Sequence, residues 1–311
     1  MTCGKFFCLE NSNQVVPKVL SVTPAYIRKS KVPRNLYSKK GDNGIVLVVG
    51  GSSLYHGAPL LASLAALRSG ADLVYTGIPK SISIPIRSYS PNIIALPMPD
   101  DRLTVGSANR LLGIIPKVPH TAAIGMGLSI AKREALVLLI KRLIDKGTKL
   151  ILDASALIPD ILDTIAGSNS IVTPHAGEYK RLFGESPGES EGAMISHVAA
   201  TAEKYRITIV LKGWVNIIAS PENKVARVAR TTPAMTVGGT GDVLDGIAST
   251  FFAKLNSFDA SVLAVYFNGI AANLAAKQFG LHLVATDLIN FLPKAMKTFD
   301  GITGKMTIKQ D

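Results

Sequence analysis

The feature that most restricts the fold is a recurrence. Short apolar runs, several of them closed by glycine, aspartate or proline, alternate with stretches at helical spacing. "GIVLVVGG" is the first run; "DLVYTGI", "NIIALP", "AAIGMG", "KLILD" and "SIVTP" follow. A continuous apolar run of this kind reads as a strand buried on both faces. Between them, "GAPLLASLAALRSGA" has helical spacing with Gly70 as its stop, and helices are expected near 104–113, 131–145, 155–165 and 192–205. Residues 207–211, 215–219 and 225–229 read as strands; 241–255, 258–277 and 284–297 read as closing helices. Strands alternating with helices build βαβ units. The expected fold is therefore α/β, a mostly parallel central sheet with helices on both faces. Residues 1–42, broken by Pro17, Pro24 and Pro33, read as irregular. No repeat or linker interrupts the rest, so one domain is expected after a basic arm.

Composition narrows the function classes. Apolar residues are 47% of the 311 and charged residues 18%, enough to bury a sizeable core. The longest uncharged run, 43–67, is interrupted by Gly50, Gly51, His56 and Pro59 and does not read as a membrane span. No charged-then-apolar leader opens the sequence, so a cytoplasmic protein without membrane contact is expected. Cys3 and Cys8 form one C-x4-C pair with no second pair, a poor zinc site, and are expected to be unbonded. Net charge is +12, and eight Lys/Arg against Glu10 and Asp42 place half of that excess in the first 42 residues. This basic arm fits a polyanion or simple solvation. No aromatic-interleaved basic stripe accompanies it, which favours solvation over nucleic acid; small phosphorylated ligands suit the charge equally well.

In parallel sheets ligands bind beyond the carboxyl ends of the strands. The candidate residues are thus Gly50-Gly51-Ser52, Gly125-Met126-Gly127, Asp153, Thr173-Pro174-His175 and "GGTGD" at 238–242. No P-loop signature is present, and "GMGLSI" lacks the third glycine of a dinucleotide fingerprint. GGTGD has two readings. Asp242 is either an N-cap of the following helix or a base beside an anion hole of backbone N–H groups. His175 and Glu178 at helical spacing make a weak metal pair; a substrate contact or a cap suits His175 better. Asp153 reads as a helix-capping or magnesium-positioning acid, with capping favoured. Lys212 at a strand end reads equally as a phosphate partner or a solvated flank. Trp214, the single tryptophan, either stacks on a base or, more commonly, is buried in the core.

Taken in order, these blocks resemble the ADP/ATP-dependent NAD(P)H-hydrate dehydratases, of ribokinase-like fold. The blocks are "KKGDNGIVLVVGGSSLYHGAPLLASLAALRSGADLV", "IGMGLS", "LDASAL", "TPHAGEYKRL", "VLKGWVNIIA" and "MTVGGTGDVLDGIAS", spanning about Lys39 to Lys297. The resemblance implies a repair reaction in which ADP or ATP, with Mg2+, phosphorylates the hydroxyl on hydrated NADH or NADPH so that phosphate can leave. It implies Asp242 as base and substrate contact, with Ala58, Gly127 and His175 lining the hydrate's pocket. It places the nucleotide on Lys212, Gly213, Trp214, Val215, Asn216 and Gly241, and implies no metal ligands of the protein's own. It also implies a homo-oligomer, a tetramer above others. A separate epimerase is expected, because only about 40 residues precede the first strand, making residues 1–38 an arm and 39–311 the domain. The sequence departs from the family's pattern at Lys39, Met126, Ser129, Ser155, Trp214 and Asn216. Ser155 replaces a frequent aspartate, which puts a metal or phosphate role there in doubt. The alternative within enzymes is a ribokinase-like kinase acting on a vitamin-precursor hydroxyl; outside enzymes it is a nucleotide- or nucleic-acid-binding protein.

Overall fold

Five consecutive apolar residues, Ile45–Val49, form a strand with every side chain buried. Alternation sends Val46 and Val48 into the core under one sheet face, and Ile45, Leu47 and Val49 into the core under the other. A strand buried on both faces sits inside a sheet with helices on each side, and the computed structural model of this chain has that form. It describes residues 19–30 and 32–304; Cys3 and Cys8, and the arm charges Lys5, Glu10, Lys18 and Lys31, lie outside the described residues.

The strands are β1 (Val19–Ser21), β2 (Arg34–Asn35), β3 (Ile45–Val49), β4 (Leu73–Pro79), β5 (Ile94–Met98), β6 (Thr121–Ile124), β7 (Lys149–Leu152), β8 (Ile171–Val172), β9 (Thr208–Leu211), β10 (Val215–Ala219), β11 (Val225–Ala229) and β12 (Ile302–Thr303). The helices are α1 (Pro24–Ser30), α2 (Gly57–Arg68), α3 (Ser83–Tyr89), α4 (Val105–Ile114), α5 (Arg133–Asp145), α6 (Leu162–Ile165), α7 (Ala176–Phe183), α8 (Glu191–Tyr205), α9 (Thr240–Phe252), α10 (Ser257–Phe279) and α11 (Ala285–Met296). Ten strands form one sheet in the order β1-β11-β10-β9-β8-β7-β6-β3-β4-β5. Only β10 runs against its neighbours, β9 and β11. The helices α2, α9, α10 and α11 cover one face, and α4 to α8 the other.

Two expectations change. Residues 19–30 and 32–35 are not all irregular: β1 pairs in parallel with β11 at the sheet edge, α1 follows it, and β2 pairs with β12. The phenol of Tyr26 on α1 donates to Asp259 on α10 at 2.5 Å, tying this segment to the domain. Residues 155–165 are not one helix but two single 3-10 turns, Ala154–Ala156 and Pro159–Ile161, followed by the four-residue α6. Pro159 lacks the N–H that a continuing helix would need. Helix α10 is long and apolar enough by composition to cross a membrane, yet most of it is buried inside the protein, so its apolarity serves the core.

Helices α2 and α9 cross closely, and glycine permits it. A Cβ on Gly246 would stand 2.2 Å from the Ala62 carbonyl oxygen and 2.8 Å from the Ala65 Cβ. Gly246→Ala is expected to destabilise the protein by about 1–3 kcal/mol through overpacking. Gly113→Ala, in α4 with nothing within 4 Å, is expected to stabilise it by about 0.5–1 kcal/mol. Thermal or denaturant unfolding of both variants checks the contrast.

Candidate active site

The carboxyl ends of β7 and β9 meet the start of α9. Lys212, just beyond β9, places its Nζ 2.6 Å from Asp153 Oδ1, just beyond β7, and 3.7 Å from Glu178 Oε2 on α7. Burial alone would lower the Lys212 pKa, but the negative charges around it, Asp153's foremost, raise it above the ordinary value, so the amine stays charged. A Cβ on Gly241 would lie 3.6 Å from Lys212 Nζ and 3.8 Å from Asp153 Oδ2. The ion pair therefore faces the first turn of α9 at a position with no side chain.

Asp242 is not the helix cap. Gly239, at φ +94°, is the N-cap, and no side chain caps this helix. A side chain on Gly239 would strike Leu61 and Ala285, so only glycine serves. Among the described residues no side chain caps the first N–H groups of α9, the condition an anion hole requires. Thr240 Oγ1 turns back to the Met235 carbonyl at 3.0 Å and braces the loop. Asp242, in the first turn, is half-buried. Burial pushes its carboxyl up to about 7, Asp153's charge adds to the rise, and Lys212 opposes it. A carboxylate of that basicity can take a proton near neutral pH.

Asp153 occupies a cap position, but its side chain caps nothing and goes to Lys212 instead. The capping expectation for it is thereby overturned. Ser155 has a scaffold role: its hydroxyl donates to the carbonyls of Gly125 and Leu128 at 2.7 and 2.6 Å, closing the loop that carries Gly127. A Cβ on Gly127 would meet Tyr55 O at 2.7 Å and the Ala58 Cβ at 3.2 Å, so Ala58 and Gly127 are neighbours. His175 caps α7: its Nδ1 accepts from the N–H groups of Gly177 and Glu178, and Glu178 Oε2 accepts from the N–H of His175. His175 also pairs with Lys212 through a parallel β-bridge, which brings its ring, largely exposed, to the same rim.

On the other side of Lys212, a small cavity of about 80 Å³ is bounded by Gly213, Asn216, Gly241 and Asn268. Asn216 Oδ1 accepts weakly from Gly213 N–H at 3.5 Å. The side chain of Val215 belongs to the core. Trp214 is not buried: it is 62% exposed and borders a second cavity with Pro187 and Met194, which shares Lys212 and Gly213 with the first. A larger cavity, about 620 Å³, opens beyond the amino ends of β3 and β4 and contains none of the predicted site residues.

Sequence reading misses two residues. Asn268 is 4% exposed, and its Oδ1 has no partner among the described residues. Asp245 is wholly buried one turn beyond Asp242, accepting from Thr173 Oγ1 at 3.0 Å. Its signal is present in "GDVLDG": an acid inside an otherwise apolar helix.

By fold this is an α/β protein of the ribokinase-like class. The structure of a ribokinase-like superfamily protein from Enterococcus faecalis superposes with a TM-score of 0.72 at 22% identity, covering 90% of this chain and 96% of that one. The profile of the NAD(P)H-hydrate dehydratase family matches residues 46–294, and the chain belongs to that family. The ADP-dependent (S)-NAD(P)H-hydrate dehydratase of Nitrosopumilus maritimus is 46% identical over 283 residues, 91% of this chain and 98% of the relative. The ADP/ATP-dependent NAD(P)H-hydrate dehydratase of Bacillus subtilis, co-crystallised with ATP/Mg2+, superposes with a TM-score of 0.76 at 26% identity, covering 89% of this chain and 97% of that one.

The raised Asp242 pKa has a stability consequence. The folded state holds this proton up to about pH 7, whereas an unfolded aspartate releases it near pH 4. Asp242 therefore costs stability progressively as pH rises between those values. Asp242→Asn should match the wild-type melting temperature near pH 4 and exceed it above pH 7, as thermal scans across pH will show.

Proposed function

We propose that this protein dehydrates hydrated NADH or NADPH, using ADP or ATP as phosphoryl donor. The observation that carries the reading is the placement of a basic carboxylate, Asp242, beside an uncapped helix start and the Lys212 ammonium. Hydroxide is a poor leaving group; phosphate is a good one. Asp242 takes the proton from the ring hydroxyl as its oxygen attacks the terminal phosphorus of the nucleotide. The shortened nucleotide leaves, and the charge on the transferring group is met by α9 N–H groups and Lys212. The ring nitrogen then expels phosphate, and loss of a proton from the neighbouring ring carbon restores the dihydronicotinamide.

In this reading Ala58, Gly127 and His175 hold the hydrate. Lys212, Gly213, Trp214, Asn216 and Gly241 border the nucleotide, and Val215 contributes main chain only. Among the described residues no group of three or more His, Cys, Asp or Glu is placed to hold a metal. The proposal takes magnesium as arriving with the nucleotide rather than held in a cage of protein side chains. The Nitrosopumilus relative is named for the (S)-hydrate. An enzyme specific for one epimer leaves the other untouched, so we include in the proposal an epimerase acting beside it.

Recovery of NADH absorbance from the hydrate, run with ADP and with ATP in parallel, is the test. Restored absorbance with inorganic phosphate released is expected; a stable phosphorylated product would favour a simple kinase instead. Asp242→Asn should lower kcat by about 10²–10⁴-fold while nucleotide binding, measured by calorimetry, persists. An active variant would remove Asp242 as the base.

A further inference from the structure

Beneath the site lies an acid that the reaction as described does not use. Asp245 is 0% exposed, on the α9 turn following Asp242. Its Oδ1 accepts from Thr173 Oγ1 at 3.0 Å. Its Oδ2 receives no N–H or hydroxyl hydrogen among the described residues. Leu152 and Val172 pair across β7 and β8, so Asp153 and Thr173 follow them side by side, and Asp245, held by Thr173, comes up to the Asp153 carboxylate. Two carboxylates in contact need a proton between them. Asp153 is already committed to Lys212 at 2.6 Å as the charged partner of that pair. The proton therefore belongs to Asp245.

We propose that Asp245 is a positioning residue, a neutral carboxylic acid that donates its hydrogen from Oδ2 to Asp153 and fixes the Asp153 carboxylate against Lys212. Burial first, then Asp153's charge, hold Asp245 well above the usual carboxylate range, in keeping with this. The groups facing it are Asp153 beyond β7, Thr173 beyond β8, Lys212 beyond β9, Asp242 on its own helix and, through Lys212, Glu178 on α7. A charged Asp245 would compete with Asp153 for the single ammonium and pull it from Gly241. A neutral one leaves Lys212 one strong partner and a fixed position at the nucleotide side.

The functional part rests on the dehydratase reading, so the experiment separates the two. Infrared difference spectra of wild type and Asp245→Asn, taken near pH 8, should show the carbonyl stretch of one un-ionised carboxylic acid in the wild type only. That result needs no activity. Absence of the band in wild type would overturn the proposal even if the protein is an active dehydratase. In the NADH-recovery assay, Asp245→Ala should lower kcat about tenfold or more, since Asp153 loses its donor, with a smaller change in the hydrate's KM. Asp245→Asn, which supplies an amide donor to Asp153 and keeps an acceptor for Thr173, should rescue kcat to within about threefold of wild type. If Asn is as impaired as Ala, a charged carboxylate is what the site needs and the proposal falls. If Ala matches wild type, Asp245 positions nothing. Should Asp245→Ala fail to fold by circular dichroism, the Asn variant and the infrared band decide.

Discussion

The Lys212–Asp153 pair is the contact on which the rest of the site depends. It joins the ends of two strands, β9 and β7, with β8 between them. Asp153 is 3% exposed, and removing Lys212 would leave that buried carboxylate without its cation, at a cost of about 3–5 kcal/mol. Everything nearby is arranged around that pair. Gly241 has no side chain to block it, the cap at His175 bridges to the Lys212 backbone, and Ser155 ties down the loop beside Asp153. Arg181 braces the same turn by donating to the carbonyls of Ala154 and Leu157. Ala154 adopts φ +49° there, a conformation held by its surroundings.

The pair also explains why an aspartate suits the start of α9. A carboxylate in a helix's first turn is normally favoured by the dipole and held ionised. Asp242 is instead kept near neutrality by burial and by Asp153, with Lys212 limiting the rise. The carboxylate does not occupy the anion hole; Gly239 has taken over the capping position, and the free N–H groups and the base stand side by side. For phosphoryl transfer, that adjacency is the useful property.

Much of this was legible in the sequence, and the limits are physical. The strands over 215–219 and 225–229 and the helices after residue 240 carry enough apolar periodicity to be placed from sequence to within a few residues. The edge strand β1 does not, because three half-exposed residues gain their structure only from pairing with β11, more than 200 positions away. The same holds for the site. Glycine, histidine and aspartate at strand ends flagged Gly127, His175 and Asp242. Which carboxylate caps, which pairs and which is neutral is decided by the approach of β7, β9 and α9, a tertiary fact. Thus Asp153 and Asp242, both plausible caps by local rules, cap nothing, while His175 does. Trp214 lies on the surface because its strand begins only at Val215.

The central claim is that Asp242 acts as a base whose readiness is set first by burial, with Asp153 adding to the rise and Lys212 limiting it. The pH dependence of kcat/KM for the hydrate, at saturating nucleotide, tests it most directly. The account predicts an acidic limb with an apparent pKa of about 7, activity rising as Asp242 ionises. A profile that stays flat from about pH 5 to pH 8, where an ordinary aspartate is already ionised throughout, would contradict it.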